Sequence, residues 1–394
     1  MAYTPVVNSA PAPAQQESSP PRGGMFRHLR DFWHRVSEGR AVDVLWSQFA
    51  ADAQSSYSFY GKDVDWEEIA KLPRWRRPFP ILKQFFWALL NKLSPARRVL
   101  LLLAIALIII SGVKYNSGGG TAEVPNFELF AALMLLLLVS LELADKVIMK
   151  RDLEIAREIQ SWLVPSVAPA VQGAEVAFTT KPQNSVAGDY YDAFYPANDA
   201  ASGGKLMLVI ADVAGKSVPA ALLMATLQAS LRTIASQCLP LPELARQLNQ
   251  YASAHSLDGQ RFTTAVIGEY HPDSRRFTYV NAGHNSPIVR RANGGIERLE
   301  SGSLPFGIVA ETKFLGAEIL LQPGDTLILF TDGVIEAFNS SGEEFSDERL
   351  IALVRNLPPL SANDSLQFLM NQVNGFVGAT RQSDDITCLI LRCN

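Results

Sequence analysis

The chain has 394 residues, 48% of them hydrophobic, and a formal net charge of −4 at neutral pH. That length allows two or three domains with sizeable cores, and the acidic balance argues against a nucleic-acid partner, which would call for a strongly basic domain. The three cysteines, Cys238, Cys388 and Cys393, have no C-x-x-C spacing, which argues against a disulfide framework or a zinc site and suits a reducing compartment.

Residues 1–24 are rich in Pro, Ala, Ser and Gln, with too little apolar surface to offset chain entropy, so a disordered N-terminus is expected. They lack the basic start and apolar core of a signal peptide. Residues 25–95 read as a cytoplasmic N-terminal region of short helices. Within it, Arg74, Arg76 and Arg77 precede a helix carrying Phe85, Phe86 and Trp87, a pattern that suits a membrane interface and also fits an ordinary packed helix.

Residues 96–145 predict a transmembrane hairpin. An uncharged run covers 99–113, with the first span counted on to about 115, and a second run covers about 127–144 with Glu128 and Glu142 only near its ends. A bilayer span takes ~17–25 residues. A short Gly-rich connection joins the two runs. Lys92, Arg97 and Arg98 precede the first run, and Lys146, Lys150 and Arg151 follow the second. The positive-inside rule then puts both termini in the cytoplasm, which makes the chain a multi-pass protein of the cytoplasmic membrane in contact with lipid. Residues 146–164 predict a helix ended by Pro165, with Ile148, Ile155, Ile159 and Trp162 on one stripe. The stripe suits a homodimer through paired helices and equally suits docking on the domain that follows.

Residues 165–394 form the expected cytoplasmic domain. Strands are expected at 175–180 and 206–211, then a helix opening at Ser217, taken as its N-cap, and a second helix after Pro242. Strand pairs follow at 262–270 with 276–282, at 286–291 with 296–300, and at 314–321 with 326–331, the last joined at Pro323-Gly-Asp325. Helices near 346–355 and 361–376 precede a final strand at 386–392. Meandering strands with grouped helices indicate α+β layers with antiparallel pairing. Neither G-x-G-x-x-G nor G-x-x-x-x-G-K-[ST] occurs.

Four acidic patches abut the apolar runs: Ala187-Gly-Asp189-Tyr-Tyr-Asp192, Ala211-Asp212-Val-Ala-Gly215-Lys216, Thr331-Asp332-Gly333 and Ser383-Asp384-Asp385-Ile386-Thr387. A single Asp at a strand end is usually a turn residue or a cap. Four together suggest a hard-cation site, because Mg²⁺ and Mn²⁺ take oxygen ligands and would relieve the mutual repulsion of the carboxylates. Two such ions can activate a water and hold phosphoryl oxygens for in-line displacement.

In order and spacing these patches resemble the bacterial metal-dependent Ser/Thr protein phosphatases of PPM type, in the SpoIIE/RsbU-like branch. The resemblance spans roughly 153–392. It includes Ala156-Arg-Glu-Ile-Gln160, Pro219-Ala-Ala-Leu-Leu-Met224, Asn281-Ala-Gly-His284 and Thr331-Asp-Gly-Val-Ile-Glu-Ala337. It implies an αββα sandwich with a site for two divalent cations, Mn²⁺ or Mg²⁺, at one end. It assigns Asp189 and Asp212 to the metal pair, the backbone carbonyl of Val213 as a further ligand, and Asp332 and Asp384 to the second metal. The implied reaction is hydrolysis of phosphoserine or phosphothreonine by metal-activated water, on a phosphoprotein of the anti-sigma-factor antagonist type. Upstream modules would act through the helix that feeds the domain. Two departures stand out: Ala187 replaces a glycine usual in the family, and Ser217 stands where glycine is common. A catalytically weak or inactive membrane-bound docking module is the alternative, against which the four retained aspartates speak. His284 reads as a structural turn residue before a general acid, and Asp192 and Asp385 as supporting residues before ligands.

Overall fold

The computed structural model describes residues 69, 73, 77–111, 114–117, 120–123, 127–196, 204–256, 261–300 and 302–394. The disorder expected for 1–24, and most of the region 25–76, lie outside the described residues. The chain divides into two compact units, Met1–Glu142 and Leu143–Asn394.

In the first unit, α1 (Pro78–Lys92) and α2 (Pro95–Ile110) both open on a proline, whose fixed φ and missing N–H suit a first helical position. Helix α2 stops short of the expected end of the first span near 115. The chain goes instead into a two-stranded hairpin, β1 (Lys114–Ser117) with β2 (Gly120–Glu123). The second expected span and the helix expected at 146–164 are one continuous helix, α3 (Glu128–Leu163), of 36 residues. No Gly or Pro interrupts those residues, so nothing in the backbone breaks the helix before Pro165. Arg97 Nη1 donates to Glu142 Oε1 at 2.9 Å, which pairs the charges close to the ends of the two apolar runs.

The second unit is an αββα sandwich. One sheet has the order β10-β7-β6-β5-β4 and the other β3-β12-β11-β8-β9, with every strand pair antiparallel. The strands are β3 (Ala174–Lys181), β4 (Tyr190–Phe194), β5 (Leu206–Val213), β6 (Thr263–His271), β7 (Arg276–Ala282), β8 (Ile288–Arg290), β9 (Ile296–Arg298), β10 (Ala317–Leu320), β11 (Thr326–Phe330) and β12 (Ile386–Cys393). Helices α4 (Ser217–Ala235) and α5 (Leu241–Ala254) cover the first sheet, and α6 (Asp347–Arg355) and α7 (Ala362–Val377) the second.

The central strands read as unbroken apolar runs because both of their faces are buried. In β5, Met207, Val209 and Ala211 pack under α4 and α5, while Leu206, Leu208 and Ile210 face the other sheet. In β11, Ile328 and Phe330 pack under α6 and α7, while Leu327 and Leu329 face inward. Helix α4 alone among the described helices is long and apolar enough to pass as a membrane span. Its Ala220, Met224, Leu231 and Ala235 are buried in the layer over the first sheet, so it is a core helix of the sandwich.

Two local expectations are corrected. The runs at 314–321 and 326–331 are not partners across the Pro323-Gly-Asp325 turn. Strand β10 pairs with β7 in one sheet and β11 with β8 and β12 in the other, so the turn carries the chain between layers. Ser217 is not an N-cap. It is the first residue of α4, at φ 64°, and no side chain caps that helix end.

Candidate metal centre

The strand register brings the acidic patches to one edge of the sandwich. Tyr190 pairs with Ala211, so Asp189, just before β4, and Asp212, near the end of β5, stand at the same end of neighbouring strands. Phe330 pairs with Cys388, so Asp332, just past β11, and Asp384, just before β12, stand together at one end of the other sheet. A buried hydrogen bond ties the two sheets at this edge: Thr331 Oγ1 donates to Asp189 Oδ2 at 2.9 Å. Thr331 Oγ1 in turn accepts from the Thr387 backbone N–H at 3.0 Å.

Each carboxylate feels the next. Burial, then the charge of Asp212, holds Asp189 well above the usual carboxylate range, against relief from Thr387 and Thr331. Burial, then the charges of Asp332, Asp384 and Asp385, pushes Asp212 up to about 7, with Lys216 opposing. Asp332 is raised by burial and by Asp384. Glu336, one turn beyond Asp332, is raised by burial and then by Asp332.

The residues present are all hard oxygen donors, and burial and mutual repulsion disfavour the charged forms of Asp189, Asp212 and Asp332, which a bound Mg²⁺ or Mn²⁺ would relieve. Among the described residues, no three His, Cys, Asp or Glu side chains close into a ready cage. Mg²⁺ keeps several waters and binds through one or two carboxylates, so an open cluster with backbone help fits it better than a closed one would. The donor set therefore fits the group. Asp189, Asp212, Asp332 and Asp384, with the Val213 carbonyl, are the residues that would hold it.

The supporting residues are well defined. Asp385 adds its charge to the edge but has both oxygens engaged: it accepts from the Gly188 N–H at 2.6 Å and the Gln183 N–H at 2.7 Å, which fixes the loop before Asp189. Gly188 has to be small, because a Cβ there would lie 3.2 Å from both Ala220 Cβ and the Val213 carbonyl. Gly333 is under a harder constraint, since a Cβ would run into the Asp385 carbonyl. Ala187 is buried and is not among the residues with a left-handed backbone, so the missing glycine leaves no strain. Asp192 is fully buried, where it accepts from Tyr190 Oη at 2.6 Å and from Arg232 Nε and Nη2 at 2.9 Å each. It ties β4 to α4 and takes no part in the carboxylate edge.

His284 is buried among its own hydrogen bonds. Its Nε2 donates to the Phe330 carbonyl at 3.1 Å, which leaves Nδ1 to accept from Thr264 Oγ1 at 2.8 Å. Thr264 is the register partner of Asp212, so this imidazole braces β6 against the end of β11. Burial pushes it down to about 4, and a neutral ring with both nitrogens engaged is a strut.

Three contacts were hidden in the sequence. Lys216 Nζ sits 3.0 Å from Asp384 Oδ2 and donates to the Ser383 carbonyl at 3.0 Å. Thr331 bridges the sheets. Gln160, near the end of α3, clamps Ala187: its Nε2 donates to the Ala187 carbonyl at 2.7 Å and its Oε1 accepts from the Ala187 N–H at 3.0 Å. Thr331 and Gln160 lie inside motifs legible in the sequence, but their partners are far away along the chain. Beside the clamp, a cavity of about 260 Å³ runs from Arg157 and Val164 to Asp189 and Met224.

The family model for Stage II sporulation protein E (SpoIIE) matches residues 202–394, which takes in Asp212, Asp332 and Asp384. Protein IcfG of Synechocystis sp. is 28% identical over 284 residues, 65% of this chain and 44% of that protein. The phosphoserine phosphatase RsbU of Bacillus subtilis is 27% identical over 194 residues, 49% of this chain and 56% of that protein. The chain thus spans about half the length of the curated relatives it matches. Among solved structures, the SiaA-PP2C domain of Pseudomonas aeruginosa aligns with a TM-score of 0.56 at 19% identity, over 64% of this chain and 99% of that domain, which is a likeness of fold. Residues 202–394 of the sandwich are thus similar to the SpoIIE family, and the sandwich has the fold of a PP2C-type domain.

Proposed function

We propose that the chain is a metal-dependent protein-serine/threonine phosphatase, anchored in the cytoplasmic membrane by its 96–145 region, with the sandwich on the cytoplasmic side. The observation that carries the reading is the convergence of Asp189, Asp212, Asp332 and Asp384 at one edge, each at a strand end of a PPM-type fold. Two divalent cations, when bound, supply the activated water and the positive charge against which a phosphoryl group reacts. The chain's own part is to fix the oxygens. Asp189 is oriented by Thr331, Asp212 and the Val213 carbonyl are carried on the end of β5, and Asp332 is set by a turn that Gly333 alone allows. His284 contributes no proton.

RsbU is described as a phosphoserine phosphatase, and that supports a phosphoprotein substrate here, which we take to be a small anti-sigma-factor antagonist. Exposed Leu102, Leu103, Ile109, Leu136 and Leu137 on α2 and α3 support contact with lipid. Ile148, Ile155, Ile159 and Trp162 are also exposed, so the stripe is free for a second copy, while Gln160 on the same helix engages the domain. That favours a homodimer through α3 over docking by the stripe.

The test is release of phosphate from a phosphoserine protein by the purified full-length chain. Release is expected to require Mn²⁺ or Mg²⁺, to stop on chelation, and to fall at least ~10²-fold in Asp212→Asn, the scale of losing a principal electrostatic element. Unchanged release in that variant would remove the assignment.

A further inference from the structure

We propose that Lys216 is the residue that binds the phosphoryl group of the substrate, an ammonium held at the rim of the carboxylate edge by Asp384. The inference rests on the phosphatase reading and goes on to name the side chain that would meet the anion.

The loop after Asp212 is built to present this residue. Gly215 has φ 116° and Ser217 has φ 64°, two left-handed turns around an extended Lys216 at φ −134°. A non-glycine residue in the left-handed region is strained, so the conformation at Ser217 is maintained by its surroundings. The turns send the Lys216 side chain across to the chain segment before β12. There Nζ donates to the Ser383 carbonyl and to Asp384 Oδ2, both at 3.0 Å.

An ammonium has three N–H donors, and these two acceptors account for two of them. The Lys216 side chain is 56% exposed and that of Asp384 36%, so the remaining donor lies at the solvent side of the site. A phosphoryl oxygen would approach from that side. Asp384 Oδ1 accepts from the Asp385 N–H at 2.9 Å, so this carboxylate is oriented before Lys216 reaches it. The same lysine opposes the upward shifts of Asp212, Asp332 and Glu336, which puts its charge within reach of the whole edge. The adjoining end of α4 adds to this: its first turn holds no acidic residue and no side-chain cap. An exposed surface lysine would need neither the paired left-handed turns nor a carbonyl and a carboxylate to fix its head.

The experiment compares the full-length chain with Lys216→Ala and Lys216→Arg, using inorganic phosphate as the probe. Three quantities are read: the phosphate dissociation constant in the presence of Mn²⁺, the split of KM against kcat on a phosphoserine protein, and the Mn²⁺ binding isotherm of the metal-stripped protein. In Lys216→Ala, phosphate affinity is expected to fall and KM to rise about tenfold, the scale of one charge-assisted hydrogen bond, with a smaller change in kcat. Lys216→Arg should recover most of the loss, and Mn²⁺ affinity should stay the same or increase, since a competing cation has gone. Unchanged phosphate affinity in Lys216→Ala would overturn the inference. So would a parallel loss of Mn²⁺ affinity, which would make Lys216 a support for Asp384. If the unaltered chain binds Mn²⁺ and turns over, either result refutes Lys216 alone. If it does neither, the phosphatase reading falls as well.

Discussion

Asp385 sits next to Asp384, yet its two oxygens accept from Gly188 and Gln183 in the loop between β3 and β4. Side by side in sequence, one carboxylate faces the site and the other ties its loop down, and nothing local in the sequence tells the two apart. His284 is a further case of function by support. Burial lowers it to about 4 from an ordinary value of 6.5. Above pH 6.5 both folded and unfolded chains hold a neutral ring. As pH falls from about 6.5 toward 4, the unfolded chain takes up a proton that the folded chain excludes, so stability is lost across that window, on the order of 3 kcal/mol from this residue. In His284→Gln that part of the stability profile should flatten, as read by urea unfolding across the window. A slope unchanged from that of the parent would show that the ring is not buried neutral.

Among the elements, the last turns of α3 matter most to the site. Gln160 holds both polar groups of Ala187, and the next residue, Gly188, is fixed by Asp385. These bonds connect the end of α3 to the loop that carries Asp189, a route by which upstream events would reach the proposed metal site. Gln160→Ala removes two hydrogen bonds of roughly 0.5–1.5 kcal/mol each, so the Mn²⁺ concentration for half-maximal activity is expected to rise at least about fivefold. An unaltered Mn²⁺ dependence would show that the helix end is not coupled to the site.

The strands and helices of the sandwich, β4 excepted, were legible in the sequence because apolar runs, prolines and turn residues are local signals. Three features were not. Strands β10 and β11 look like a hairpin at Pro323-Gly-Asp325 and belong to different sheets, because pairing is settled by which layer offers a partner. Ser217 has the chemistry of a cap and adopts a left-handed backbone, because the preceding loop must turn toward Asp384. The apolar run and the stripe in α3 read as two helices because their patterns differ, although no residue breaks the backbone between them.

At the scale of the whole molecule, the apolar residues exposed on α2 and on the first half of α3 require a cover that the described chain does not supply. With lipid as that cover, the full-length chain should stay with the membrane fraction after alkaline carbonate extraction, and deletion of 96–145 should release it. Release of the intact chain by carbonate would contradict the anchor. The proposed chemistry resides at the carboxylate edge, so the edge is where the account is tested most directly. Mn²⁺ is titrated into the metal-stripped full-length chain while hydrolysis of an aryl phosphate is followed, beside Asp332→Asn. The account predicts turnover that rises with added Mn²⁺, is lost on chelation, and falls at least ~10²-fold in the variant. Metal-independent turnover, or full activity in Asp332→Asn, would contradict it.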